Sequence, residues 1–481
     1  MKKIDSKHPR VLPIFFATEM WERYGFYVVQ TLLILYLAIN FHWPDKQVYS
    51  LVGSFTALAY LSPLIGGWIA DHLLGQKRVI LMGSVILICS YTILSLVASN
   101  SFLNIALAGI AVGTGLLKPN ISSLLGNEYP AGSSDREKGF MIFYMGITTG
   151  IILGTTLPSY LSTHFGWSFA FLSASLGMLG GAIIFSLGIY WYRLEDYIPH
   201  AFTVKNTVLA TLIITSLWLA SFYILNYPSL AIVVFSIVAI FSTGYYLWCI
   251  KNEEGPQVRQ TIVLGLLCLI AVLFWAFYFQ IFLSLTLFLL RVAEPTLFGY
   301  PFPPPYYVGI ESIGMIVLGL FLVYKKSKPM DKTQQGIRVA NKFLAAMMAI
   351  TMAYLLIVSI CYIKTPNGLL SPLYIIPAYL IISLAEILLS PVGLAAVTMF
   401  ACRKKVSTLM GIFLSTIGIG AFLAGKLAGL TAISPEQLQT IDIKAHYASL
   451  FGEILLILML ATLVAVGLNA IIRTLLKSMS A

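Results

Sequence analysis

The sequence is short of charge. Asp, Glu, Lys and Arg make up 10% of its 481 residues, where a soluble globular chain carries roughly a quarter. Between its apolar runs no stretch is long enough for a soluble domain of useful size. Paired cysteines are also missing. Cys89, Cys249, Cys268, Cys361 and Cys402 share no spacing, which excludes a disulfide framework and a thiolate metal site. The opening MKKIDSKHPR is basic like a leader, but the apolar segment after it is too long, holds charges and lacks a small-residue cleavage site. That segment is expected to be the first helix of the mature protein. No nucleophile–base pair or metal-ligand cluster stands out, so neither an enzyme nor a bound cofactor is expected.

What fills the chain instead is apolar: 59% of the residues are hydrophobic. Runs of about 20 residues, enough to cross a bilayer core, recur from end to end. Fourteen spans are predicted: 12–39, 48–72, 77–98, 101–127, 139–163, 168–192, 206–225, 229–250, 260–290, 306–325, 339–362, 371–401, 405–431 and 447–475. The net charge of +11 follows topology, not nucleic acid. With a cytoplasmic N-terminus, 23 of the 30 Lys and Arg fall on inside segments and 4 on outside ones, a strong positive-inside asymmetry. Both termini are therefore expected in the cytoplasm. The spans at 206–250 hold no embedded charge and are joined by a short NYPS turn. They read as an inserted hairpin (residues 201–255) between two six-helix bundles, 1–200 and 256–481.

The few charges at membrane depth are functional-site candidates, because each is costly there. Glu19, Glu22 and Arg23 share one helical stripe, at i, i+3 and i+4, and Tyr27 continues it one turn on. Arg23 can pair with one carboxylate and accept a second anion. A carboxylate between a guanidinium and another carboxylate can take and release a proton. The competing reading is a static ion pair that holds helices together. Lys118 lies deep in GTGLLKPNIS and Glu386 equally deep in AEILLSPVGL. One cation in the first half and one anion in the second suggest a bridge between bundles that breaks and forms as a transporter rocks. Glu311 and Lys426 are embedded as well, and a bridge between those two is the competing reading for Glu311. The run Gly113 to Lys118 lacks the strand context of a phosphate loop, so its glycines are expected to serve close helix packing. His42 and His72 are expected at solvated ends. Pro158, Pro372, Pro377 and Pro391 are expected to mark bends.

Taken together, these residues resemble the proton-dependent oligopeptide transporter family of the major facilitator superfamily. Glu19-x-x-Glu22-Arg23 is similar to its E-x-x-E-R motif. GGWIADHLLGQKR (Gly66 to Arg78) resembles the superfamily's loop 2–3 signature, with Asp71 bracing the inner gate. FYMGITTG (Phe143 to Gly150) is similar to the helix 5 signature, GLLKPN to the helix 4 lysine motif and ILLSPVGL to the helix 10 glutamate motif. The resemblance runs nearly the whole length of the chain. It implies an all-α, fourteen-helix, polytopic major facilitator fold in a bacterial inner membrane, importing di- and tripeptides with protons by alternating access. It also implies that Arg23 and Lys118 hold the peptide carboxylate and Glu386 the ammonium, with Tyr27, Tyr60, Thr148, Trp275 and Phe413 lining the pocket. Glu19, Glu22 and Arg23 join Glu386 in proton coupling, while Asp71, Lys118 and Glu386 gate. The driving force is the proton gradient, no nucleic acid partner is implied, and a monomer is expected.

Four positions depart from the family pattern. Gln30 stands where helix 1 usually has an Arg, and Phe279 where helix 7 usually reads F-W-x-x-x-E-Q; here it is FWAFYFQ. In the family those two form an outer bridge, so both partners are lost together. Thr148 replaces a helix 5 Asn, and Glu311 a helix 8 Asn near the peptide's amino end. A second acid beside Glu386 would favour a cationic substrate end or supply a replacement proton site. These departures leave three alternatives open: a family member with another small cargo, an uncoupled facilitator, and a non-transporting peptide sensor.

Overall fold

The computed structural model describes residues 9–97, 100–129, 134–196, 203–324, 332–365, 367–402, 405–434, 437 and 442–478. Most of the basic N-terminal segment and residues 325–331 of the basic loop after the tenth predicted span, both used in the charge tally, lie outside the described residues. Among the described residues the chain is almost wholly helical: α1 Leu12–Ile39, α2 Asp45–Leu61, α3 Pro63–Ile69, α4 Gln76–Ser95, α5 Asn100–Asn127, α6 Ser134–Phe165, α7 Trp167–Tyr192, α8 Val204–Asn226, α9 Pro228–Lys251, α10 Pro256–Tyr278, α11 Ser284–Val292, α12 Pro305–Tyr324, α13 Lys332–Cys361, α14 Pro372–Phe400, α15 Val406–Ala428 and α16 Ile443–Lys477. Twelve segments are long and apolar enough to cross a membrane. The charge-bearing α1 and the 20-residue α12 complete the fourteen spans. Proline sits in the first turn of α3, α10 and α14, where its missing N–H would have no helical partner anyway.

Two spans that read as continuous are broken. Asp45–Leu74 consists of α2, α3 and a π-helical turn, Ala70–Leu74. Pro63 interrupts its ladder, and the Ser62 hydroxyl donates to the Leu58 carbonyl at 2.7 Å. The span Pro256–Val292 breaks at a 3-10 turn, Phe279–Phe282. Backbone freed in a membrane must find partners inside the protein. Here Thr286 Oγ1 donates to Ile281 O at 2.8 Å, Gln280 Nε2 donates to Ala276 O at 3.1 Å and to Ala424 O at 2.9 Å, and Ser284 Oγ donates to Gln280 Oε1 at 2.7 Å. The tract YPFPPPYY (residues 300–307) begins in a small hairpin, β1 Thr296–Leu297 with β2 Tyr300–Pro301, turned through Phe298 and Gly299 at positive φ.

By contact the chain forms two compact units, Met1–Leu33 with Leu58–Pro228, and Ile34–Ala57 with Ser229–Ala481. In the first unit α4, α5, α3 and α8 share an apolar core that includes Ile69, Leu73, Val79, Val112, Leu116 and Ile214. α8 is keyed to α5 by Trp218, whose indole donates to Ile105 O at 3.0 Å and lies where a side chain at Gly109 would go. Gly66 and Gly115, like Gly83 and Gly113, sit where an added Cβ would strike the facing backbone, so the glycines near Lys118 do serve close packing. In the loop after α3, Gly75 has φ +79°, and the Lys77 amide donates to Asp196 Oδ1 at 2.8 Å.

In the second unit α9 is held by Phe235 against Phe422, with ring centroids 4.5 Å apart. Lys405 Nζ donates to Glu253 Oε1 at 3.0 Å while lying over the Trp248 ring. The unit also contains a buried ionic knot. Arg291 on α11 makes a fork-on-fork pair with Asp45 at the start of α2, both bonds 2.7 Å, and donates to the Tyr447 hydroxyl at 2.8 Å. The Ile433 amide donates to the same Asp45 carboxylate at 3.0 Å.

Candidate functional site

The first unit gathers most of its singled-out residues around α1. Glu19 is 1% exposed, Glu22 0% and Arg23 3%. Arg23 Nε donates to Glu22 Oε2, and the same Nε lies 3.4 Å from Glu19 Oε1. The opposite oxygen of Glu22 accepts from Thr114 Oγ1 at 3.2 Å. Arg23 lies over the Phe26 ring at 5.2 Å, Phe26 meets Tyr60 edge-on, and Lys118 Nζ stands 4.7 Å from the Tyr60 centroid. Glu19, Glu22, Arg23, Tyr60 and Lys118 are thus one cluster, with Tyr27 beside it packed edge-on against Phe26. Two atoms are left over. Arg23 Nη2 and Glu19 Oε2 are buried with no hydrogen-bond partner among the described residues. The cluster holds two acids and two bases, so it is balanced as it stands. It nonetheless has one unspent guanidinium donor to offer an anion.

Helices α1, α2 and α5 carry this cluster, and glycines of a fourth helix, α6, set how closely it approaches α1. Gly146, Gly150 and Gly154 of α6 form one stripe against α1. A Cβ at these positions would meet Phe16 O at 2.8 Å, Met20 O with Arg23 Cβ, and Tyr24 O at 2.7 Å. The helix 5 motif around Gly146 and Gly150 is therefore a seat for the backbone bearing the charges. Thr148, between them, is buried and donates to Tyr144 O of its own helix at 3.2 Å. Asp71 is exposed in the π-helical turn, apart from the cluster.

The second unit presents acids without bases. Glu386 on α14 accepts a 2.6 Å hydrogen bond from the Tyr278 hydroxyl of α10. Glu311 on α12 is 2% exposed, and its carboxyl is hydrogen-bonded to that of Glu386. Ser312 Oγ lies 3.4 Å from Glu311 Oε2, and Ser383 of α14 donates to the Glu311 carbonyl at 2.7 Å, tying the two helices together. Among the described residues neither carboxyl has an ion-pair partner. Lys426, the candidate partner of Glu311 in the competing reading, is directed over the Phe422 ring at 5.4 Å. Trp275 and Phe413 are buried, at 4% and 2% exposure. Trp275 packs edge-on against Tyr278, its indole N–H is without a partner among the described residues, and Phe413 lies against Gly393. Gln30 and Phe279, where the family's outer bridge would be, are both buried. Among the described residues no group of three or more His, Cys, Asp and Glu could hold a metal ion.

Sequence reasoning overlooked Thr114 and Tyr278. Thr114 lies four residues before Lys118 and Tyr278 three after Trp275, so helical spacing placed both on faces already in question.

Comparison with known proteins places the whole chain. The sequence model described as the POT family matches residues 77–445. The dipeptide and tripeptide permease A of Yersinia pestis is 30% identical over 457 residues, 93% of this chain and 89% of that protein. Its counterpart from Serratia proteamaculans is 29% identical over 456 residues, 93% of this chain and 88% of that one. Among solved structures, one from work on substrate recognition in proton-dependent oligopeptide transporters superposes with a TM-score of 0.83 at 25% identity, covering 96% of this chain and 99% of that chain. Tetrameric PepTSo2 superposes with a TM-score of 0.84 at 25% identity, covering 96% and 98%.

Proposed function

The chain belongs to the POT family, and on that premise we propose that it imports di- and tripeptides with protons, by alternating access across a bacterial inner membrane. One observation carries the reading. The first unit buries a guanidinium with an unspent donor beside Lys118, and the second holds two acids, one buried and one half-buried, with no ion-pair partner among the described residues. A zwitterion a few residues long needs an anion site and a cation site, and side chains that vary need aromatic walls.

In this proposal Arg23 and Lys118 receive the peptide carboxylate and Glu386 its ammonium. Tyr27, Tyr60, Thr148, Trp275 and Phe413 line the path. Substrate ends that occupy Lys118 and Glu386 weaken the bridge expected between those two. Protonation in the set Glu19, Glu22, Arg23 and Glu386 then permits the next conformation, with Asp71 bracing the gate on the cytoplasmic side. Both termini face the cytoplasm, and the working unit is a monomer.

Uptake of labelled dialanine into proteoliposomes, with an inward proton gradient on and off, tests the reading. Wild-type protein should accumulate peptide only with the gradient. Glu386→Gln should lose that accumulation, retaining at most exchange or weak binding. Undiminished gradient-driven uptake by Glu386→Gln would sink the assignment.

A second reading has its own observation. Glu311 adds an acid where the family has an amide, which favours a substrate rich in positive charge at its amino end. Competition of dialanine uptake by lysine-containing peptides and simple amines separates the two.

A further inference from the structure

Glu311 is an embedded acid whose expected part, a replacement proton site or a second contact for a cationic substrate end, the sequence leaves undivided. The geometry around it is specific. Its carboxyl is buried between α12 and α14, and Oε1 receives no hydrogen bond from any nitrogen or hydroxyl donor among the described residues. It is hydrogen-bonded to the Glu386 carboxyl, which already accepts from Tyr278 at 2.6 Å. The titratable groups around the pair are Tyr278 on α10, Tyr307 on α12 and Tyr379 on α14, all uncharged hydroxyls at neutral pH. The Tyr307 and Tyr379 hydroxyls are themselves buried without hydrogen-bond partners. No described Lys, Arg or His forms an ion pair with either acid.

Two carboxyl groups in contact, one buried and the other half-buried, with no cation beside them, do not both stay ionised, so the stable arrangement shares one proton. The donor geometry says where it sits. Tyr278 donates to Glu386 at 2.6 Å, whereas Glu311 has only the 3.4 Å contact from the Ser312 hydroxyl, which leaves Glu311 as the carboxyl that donates. We propose that Glu311 and Glu386 form a single-proton site, in which Glu311 carries the transported proton while Glu386 stays free to take the cationic end of the cargo. One site then holds one proton and one ammonium at once, which is the condition symport imposes. The balance is simple: Glu311 gains a proton from one side of the membrane and releases it on the other, and no bond between heavy atoms changes.

This inference rests on the proton–peptide reading, and the experiment keeps the two separate. A pH difference of one unit can drive about tenfold accumulation for one proton per substrate. In dialanine proteoliposomes, wild type should approach that ratio. Glu311→Gln, a fixed mimic of the protonated acid, should fall to about onefold while still exchanging labelled for unlabelled dialanine, with a flat pH profile of exchange. Glu311→Asp should recover part of the accumulation. The cargo-independent readout is infrared absorption of the purified protein. A protonated-carboxyl band should persist at neutral pH, titrate as one proton, shift in Tyr278→Phe and vanish in Glu311→Gln. Wild-type accumulation by Glu311→Gln, or no such band in wild type, overturns the proposal. Failure of wild type to carry dialanine, with the band present, overturns only the choice of cargo and leaves the proton site standing.

Discussion

At the scale of single residues, the energetics turn on who satisfies a buried charge. Glu22 is wholly buried and depends on two donors, Arg23 and Thr114. Thr114→Val keeps the shape and removes one donor, leaving a carboxylate oxygen unsatisfied at a cost of about 1–3 kcal/mol. The expected result is a lower thermal midpoint in detergent, restored by Thr114→Ser; an unchanged midpoint would mean Glu22 does not use this bond. The acids and Arg23 were legible in the sequence because charge in an apolar helix is expensive in any context. Thr114 was not, because a threonine hydroxyl in such a helix commonly bonds its own preceding turn, as Thr18 does to Ile14 and Thr56 to Val52, and Tyr278 was not, because it is one of several aromatics in its run. Only the neighbouring helix decides otherwise.

At the scale of elements, close approach is set by side chains that are absent. Gly150→Ala would drive a methyl group into the Met20 carbonyl and Arg23 Cβ, and backbone cannot yield as a flexible side chain can. Overpacking of this kind costs about 1–3 kcal/mol, and here it also displaces the residue that holds both carboxylates. The expected outcome is weaker dialanine binding and reduced thermal stability together. Gly180→Ala on α7, with nothing within 4 Å of the added atom, serves as the control and should be tolerated. Helix ends were readable to within a few residues, since apolar length and proline position are local properties. The break at Phe279–Phe282 was not. The segment is as apolar as its flanks, and the interruption persists because the Gln280 and Thr286 side chains take over carbonyls at the break, with Ser284 holding the Gln280 amide in place.

At the scale of the whole molecule, contacts between distant parts of the chain fix what no local pattern can. Asp45 and Arg291 are 246 residues apart and form a bidentate pair inside one unit. Arg291→Ala strands the Asp45 carboxylate, which is 4% exposed, and removing one partner of a buried pair costs about 3–5 kcal/mol. Thermal unfolding should show that loss, and Asp45→Asn combined with Arg291→Gln should show less than the sum of the single changes. Additive losses would mean the two do not act as a pair. The number of spans, their limits and the embedded charges that nominate a site were determined by the sequence alone, because bilayer thickness and the cost of buried charge act on each segment separately. Which carboxyls meet, which hydroxyls serve them and which helices break were decided only by the tertiary structure. Each of those depends on a neighbour tens to hundreds of residues away, and a sequence read one helix at a time holds no distance between two helices.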